Sequence, residues 1–461
     1  MLKRLRLSIS GALILGFLTQ IGIGFVWMIL NFGRLQSFEE TLYLTAMSKT
    51  PLSGDEYLGF LYPLVLSLLQ FIAGLIKVIP YYCIVYALQI VFSLWAGYFM
   101  ICGMMGRKGF YPVFGSFCIT FFPFVLQSAM AVTTHSVLSS LFMLQVGMLA
   151  HIMRKKGTDI VKDMILMSMI FGLQVLIKPE FILIGILPLL FVAVRNFLMG
   201  LGDMKNAVVG LSVITVTVAV LIAVMGITTG DNTLDRPRRS AAASIMSRTI
   251  WPDFTDVYLQ GVDATVKYMS YNEFDYVDEY ADNVFNSFQR TIDRSFSPSD
   301  ADRMYFDLAS YGMGFRAKEV IHDSVWDVIS YVISPVVTLR QLDGKVYDSY
   351  VGNNYSLFRE NTPKFSKIYF RFGCMWFSAA FLLAAIQFAI RERSERTKEL
   401  IQFIITIVAW SALLVVFLTL RGAGMMDYKE TICLTSLWIS WIINATAHGF
   451  DGSWAEEQGD N

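Results

Sequence analysis

Apolar stretches of up to about two dozen residues recur along the chain, at 9–32, 58–76, 82–104, 110–129, 135–152, 163–177, 180–197, 206–228, 368–390, 400–420 and 430–447. A bilayer core of about 30 Å takes roughly 20 helical residues to cross, so this spacing predicts an all-α polytopic membrane protein of about 10–11 transmembrane helices. The stretch 317–333 reads differently. Val320, Ile321, Val325, Val328, Ile329 and Val332 return at three- and four-residue steps, which predicts an amphipathic helix lying along a surface. Polar sequence with strong breakers (Asp235-Arg236-Pro237, Trp251-Pro252, Ser297-Pro298-Ser299) fills 229–366. The predicted organisation is a transmembrane module at 1–228 with a first loop at 33–81, a larger loop region at 229–366 and further transmembrane helices at 367–450. A polar tail at 451–461 is expected to be disordered.

Basic residues set the expected sidedness. Lys3-Arg4, Arg107-Lys108, Arg154-Lys155-Lys156, Arg195 with Lys205, and Arg391, Arg393 and Arg396 each border an apolar run. Short cytoplasmic loops carry the Lys and Arg excess, so all five clusters belong on one face. That requires an even number of crossings between neighbouring clusters. Three apolar runs separate Lys3 from Arg107, so 58–76 is expected not to cross but to lie on the outer side or to return as a hairpin. Pro63, Gly74 and Pro80 supply the breaks. Ten crossings follow, with both termini cytoplasmic; the alternative is eleven with one violation of the charge rule. Either way the chemically varied segments face outward.

Composition narrows the picture. The chain has 461 residues, 55% hydrophobic and 16% charged, with a formal net charge of zero, which offers nothing to a nucleic acid. Its five cysteines all fall within apolar runs, leaving neither a disulfide framework nor a zinc site and favouring a bacterial plasma membrane. The sequence contains no Walker loop, no GxGxxG before a helix, no HExxH and no Ser-His-Asp arrangement.

Candidate chemistry lies at the outward ends of the spans. Glu39-Glu40 follows the first span; an acid beside lipid is desolvated and suits a general base, whereas the plain reading is a pair of solvated loop acids near Lys49. Asp55-Glu56 reads more simply as a turn or helix cap. His135, after Thr133-Thr134, is placed to bind phosphate or relay a proton, or else to pack at a helix start. Lys178 before Pro179-Glu180 offers a phosphate partner or an interfacial anchor. Arg236, with Arg238 and Arg239, runs against the charge bias and suits a phosphate or ordinary anionic headgroups. Arg421 near Asp427 and Lys429 is a similar case.

The order of these features resembles the GT-C superfamily of membrane glycosyltransferases, and is similar to protein O-mannosyltransferases and aminoarabinose transferases. Glu39-Glu40-Thr41-Leu42-Tyr43 stands where that family has an acidic pair and a tyrosine in its first outer loop. Leu61-Tyr62-Pro63-Leu64 stands where it has a Tyr-Pro-Pro-Leu-Tyr-like segment, with the second proline missing. Lys178-Pro179 matches a basic-proline step at the end of a later helix pair, and His135 occupies the place of a second acid in many relatives. The resemblance implies a GT-C-like fold with outer juxtamembrane helices. It also implies an inverting, metal-independent transfer of sugar from a polyprenyl-phosphate donor to a glycan, lipid or protein acceptor. Glu39 or Glu40 would be the base, with Tyr43, Tyr62, His135, Lys178, Arg236 and Arg421 at the substrate. No cofactor beyond the lipid-linked donor is implied. The competing classes are a lipid-linked-sugar flippase, which should line its spans with charge, and a non-catalytic membrane scaffold.

Overall fold

The computed structural model describes residues 2–32, 36–37, 61–76, 79–154, 161–178, 298–332, 358–359, 363–390 and 435–447, with Cys433 and isolated positions between 181 and 223. The chain divides into two compact units, one of 1–230, 332–410 and 427–461, the other of 231–331 and 411–426.

The larger unit is helical in its described residues apart from one two-residue pairing. In chain order it contains α1 (Leu2–Asn31), β1 (Gln36–Ser37), α2 (Leu61–Ile76), α3 (Tyr81–Met105), α4 (Phe110–Thr120), α5 (Pro123–Ala129), α6 (Thr134–Arg154) and α7 (Val161–Ile177). β2 (Phe358–Arg359) and α9 (Pro363–Ala389) follow the smaller unit, and residues 435–447 are helical. Among the described residues four helices, within α1, α3, α6 and α9, are long and apolar enough to cross a membrane; α4 and α5 together supply a fifth if they form one bent span. Leu15, Ile29, Val91, Trp95 and Leu382 are exposed on these helices. An apolar outer surface of this kind belongs against lipid. The spans expected at 180–197, 206–228 and 400–420 lie largely or wholly outside the described residues.

Side-chain pairings give the direction of each helix. Arg6 Nη2 donates to the Ile390 carbonyl at 2.7 Å, Gln387 Nε2 to Ser10 Oγ at 2.8 Å and Trp27 Nε1 to Ser366 Oγ at 2.7 Å, so α1 and α9 run antiparallel. Ser93 on α3 meets Thr120 on α4 at 3.1 Å, and Gly97 lies against Ser116, again antiparallel. In contrast α3 and α6 run parallel, with Gln89 at Thr133 and Gly103 at Gly147. Six residues link α6 to α7, a reach of about 20 Å, while α6 is about 31 Å long. Hence α7 begins where α6 ends.

These directions gather the start of α1, the end of α3, the starts of α4 and α7, and the ends of α6 and α9 at one end of the unit. That end carries Arg6, Arg107, Lys108 and Lys162, and Arg107 lies over the Tyr111 ring at 5.0 Å. Ser10 Oγ donates to the Thr446 carbonyl at 3.2 Å, which brings the end of 435–447 to the same place. At the far end, Phe32 just beyond α1 packs edge-on against Tyr86 near the start of α3, centroids 6.0 Å apart. The chain between Phe32 and Tyr81 therefore starts and finishes at the far end. With 16 residues, α2 is also too short for a full crossing. The expectation that 58–76 does not cross agrees with this arrangement. Its supposed break at Gly74 does not, because α2 continues through Gly74 to Ile76.

The run 110–129, expected as one continuous span, is instead broken. α4 and α5 meet at 74° around Phe121-Phe122-Pro123. Pro123 has no N–H to give the Ile119 carbonyl and forces its predecessor out of the helical region; Phe122 is extended at φ −72° and ψ 138°. The Phe121 carbonyl is taken up by Tyr369 Oη, which donates to it at 2.6 Å from a fully buried position on α9. Gly373, one turn further along α9, leaves room for the Pro123 ring; a Cβ there would lie 2.7 Å from its Cδ. The only other bond to that carbonyl among those described is the long 3.5 Å contact from Gln20 Nε2. Tyr369→Phe is thus expected to lower stability by about 1–3 kcal/mol, the cost of leaving a buried carbonyl unsatisfied. A thermal melt of purified protein measures it.

The smaller unit contributes α8 (Pro298–Val332), a 35-residue helix kinked at Arg316 (φ −125°, ψ 26°). The amphipathic stretch from 317 forms its second half. Ser297-Pro298-Ser299, read from sequence as a breaker, marks a helix start: proline is tolerated in a first turn, where its missing N–H has no partner to lose, and Asp300 there favours the positive helix end.

Candidate functional site

Three of the expected site residues fall in the described structure, and all three are buried. Tyr62 is the second residue of α2, 3% exposed. His135 is in the first turn of α6, and Lys178 directly follows α7. Glu39, Glu40, Tyr43, Arg236 and Arg421 lie outside the described residues.

Gln89 on α3 links the first two. Its Nε2 donates to Tyr62 Oη at 2.9 Å and to the Thr133 carbonyl at 3.3 Å. A carbonyl only accepts, so the Gln89 amide nitrogen must face it and Oε1 must point elsewhere. Gln89 follows Tyr81 by eight residues, so the cluster sits about 12 Å along α3 from its far end. His135 is buried in the first turn of α6, which fits the reading of a residue packed at a helix start. The break at Pro123 explains this, because α5 turns across at 74° and keeps the connection 130–133 inside the helical layer. Met130, Ala131, Val132 and Thr133 are all buried.

Lys178 is placed by the way α7 ends. The following Pro179 disfavours helical geometry at Lys178, while the Lys178 N–H still donates to the Gln174 carbonyl at 2.9 Å and its carbonyl accepts from Phe181 at 3.0 Å. α7 packs on both α6 and α2, and α2 packs on α3. The four helices thus form one packed group, in which Gln89 ties Tyr62 to Thr133 beside the start of α6 and Lys178 follows the end of α7.

The sheet pairing adds a further restraint. Gln36 pairs with Arg359 and Ser37 with Phe358, antiparallel. The backbone two residues before Glu39 is thereby tied to the segment that leads into α9, at the far end. The residues missed by sequence reasoning are neutral: Gln89, Thr133 and Ser136 here, and Gln145 and Gln174 deeper between α6 and α7, where Gln145 Nε2 donates to the Gly185 carbonyl at 3.1 Å. A glutamine inside an apolar run was the available signal.

The chain matches no family model, no curated protein and no solved structure.

Proposed function

We propose that this chain is a membrane glycosyltransferase that moves a sugar from a polyprenyl-phosphate donor to an acceptor hydroxyl at the face opposite its basic end, in a bacterial plasma membrane. The observation that carries the proposal is the buried, hydrogen-bonded cluster of Tyr62, Gln89 and Thr133 between apolar helices, on the part of α3 away from Arg107. A polyprenyl chain has lipid-facing helices to lie against there, and its phosphate has Lys178 within the same helix group. The charge rule puts that face outside the cell.

In this reading Glu39 or Glu40, just beyond the β1 pairing, removes the acceptor hydroxyl's proton as its oxygen attacks the anomeric carbon. The bond from that carbon to the phosphate oxygen breaks and the configuration inverts. The phosphate departs with increased negative charge, which Lys178 stabilises. Tyr43, Tyr62 and His135 position the substrates. The chemistry needs no metal.

The test uses purified full-length protein in lipid nanodiscs with radiolabelled polyprenyl-phosphate sugars and simple alkyl acceptors. Glu39→Gln and Glu40→Gln are assayed against wild type. Loss of the true base is expected to slow transfer a hundredfold or more. If no donor is consumed by wild type, or both variants keep its rate, the reading fails.

A further inference from the structure

Three buried oxygen atoms at the start of α6 have no hydrogen-bond partner: Gln89 Oε1, Thr133 Oγ1 and Ser136 Oγ. Their residues are 4%, 2% and 1% exposed. Thr133 immediately precedes α6 and Ser136 is in its first turn, while Gln89 docks on the Thr133 carbonyl. A threonine at this position ordinarily turns its hydroxyl back to cap the helix; here Thr133 Oγ1 does not. Three unsatisfied oxygens, two at the start of α6 and one on the α3 glutamine docked against it, are costly to leave dry, so an occupant that supplies the missing bonds is strongly favoured.

The chemistry of the three selects that occupant. Gln89 Oε1 is held as an acceptor by its own amide nitrogen's bond to Thr133, so it calls for a donor and repels an anion. The two hydroxyls both donate and accept. A ligand offering several adjacent hydroxyls satisfies all three; a bare phosphate leaves Gln89 Oε1 unpaired and facing negative charge. We infer that Gln89, Thr133 and Ser136 form a binding site for the hydroxyl groups of a neutral glycosyl unit, separate in role from the cation Lys178. This rests on the transferase reading only in naming the sugar as that of a lipid-linked substrate.

The experiment uses full-length protein in phosphatidylethanolamine–phosphatidylglycerol nanodiscs and three photoreactive probes with one shared diazirine-bearing decyl chain. Their headgroups are glucose, phosphate and tri(ethylene glycol). Cross-linking to peptides covering 61–76, 79–105 and 130–154 is quantified against unlabelled octyl glucoside. The glucoside is expected to label these peptides saturably and to be displaced, and the other two are not. Thr133→Val with Ser136→Ala is expected to weaken the glucoside's apparent affinity at least tenfold. Neither hydroxyl has an internal partner to lose, so the doubly substituted protein should melt at or above the wild-type temperature without ligand. Gln89→Leu is expected to weaken labelling too, and the hydroxyl pair decides the matter if that variant does not fold.

Equal labelling by all three headgroups would mean the oxygens hold water only and overturns the site, as does unchanged glucoside affinity in the Thr133 and Ser136 variant. The assay involves no transfer. Glucoside binding without turnover leaves this site standing and removes the transferase; turnover with an unchanged KM in that variant does the reverse.

Discussion

Gly147→Val is expected to prevent recovery of folded protein, and Gly103→Val to do the same. These glycines face each other where α3 and α6 cross. A Cβ at Gly147 would lie 2.9 Å from Met100 Cα and 3.0 Å from the Phe99 carbonyl oxygen, and one at Gly103 would fall on the Gly147 backbone, 2.9 Å from its Cα. Contacts so short against backbone cannot be relieved by turning a side chain. The helices have to separate. Helices in lipid associate through close packing and interhelical hydrogen bonds, so separation undoes the attraction along their whole length. Overpacking against movable side chains costs about 1–3 kcal/mol, and two rigid backbones set a higher cost. Even Gly147→Ala should be harmful, since the Cβ itself makes the clash. Gly22→Ala is the control: it is also helical, but nothing lies within 4 Å of its Cβ position, so it should be neutral or mildly stabilising. The double variant Gly103→Ala with Gly147→Ala should cost less than the sum, because helices parted by one methyl already accommodate the other. Monodisperse yield after detergent extraction and the melting temperature give both answers.

That crossing was not legible from hydropathy, which scores Gly103 and Gly147 as mild residues in good spans. The spans themselves were legible because their length is dictated by the bilayer: 82–104 became Tyr81–Met105 and 135–152 became Thr134–Arg154. Hydropathy failed at Pro123, where one residue without an N–H breaks an otherwise uninterrupted apolar run. It failed in the other direction at Pro298, where the same residue type opens a helix, because position in the element decides what proline does. The candidate site was half legible. Tyr62, His135 and Lys178 were singled out through resemblance and charge, and all three are buried. Gln89 was missed because a search of the spans for charged groups passes over a neutral amide, although burying one in an apolar layer also demands a partner. The packing of His135 at a helix start was one of its two sequence readings, and the bend at Pro123 supplies its physical reason.

The other large effect expected is an all-or-none difference in chemical labelling along 32–108. Phe32→Cys and Ile79→Cys should react alike with a membrane-impermeant maleimide on intact cells, and Lys108→Cys should behave oppositely. Cys83, partly exposed near the start of α3, is first replaced by serine in a background lacking the other cysteines. The expectation follows from Phe32 packing on Tyr86 at one end of α3 while Arg107 and Lys108 follow its other end. A helix of 16 residues, about 24 Å long, does not span a core of about 30 Å, so α2 leaves the chain on the side it started from. The charge rule adds the absolute sense: Phe32 and Ile79 label from outside, and Lys108 labels only after permeabilisation. Opposite behaviour of Phe32 and Ile79 would make α2 a full crossing and put the first loop's acids on the wrong side of the membrane from Lys178. Labelling of Lys108 alone on intact cells would keep α2 as it is and invert the protein, placing the buried group of Tyr62, Gln89 and His135 toward the cytoplasm. A lipid-linked donor presented at the outer leaflet could not then reach it.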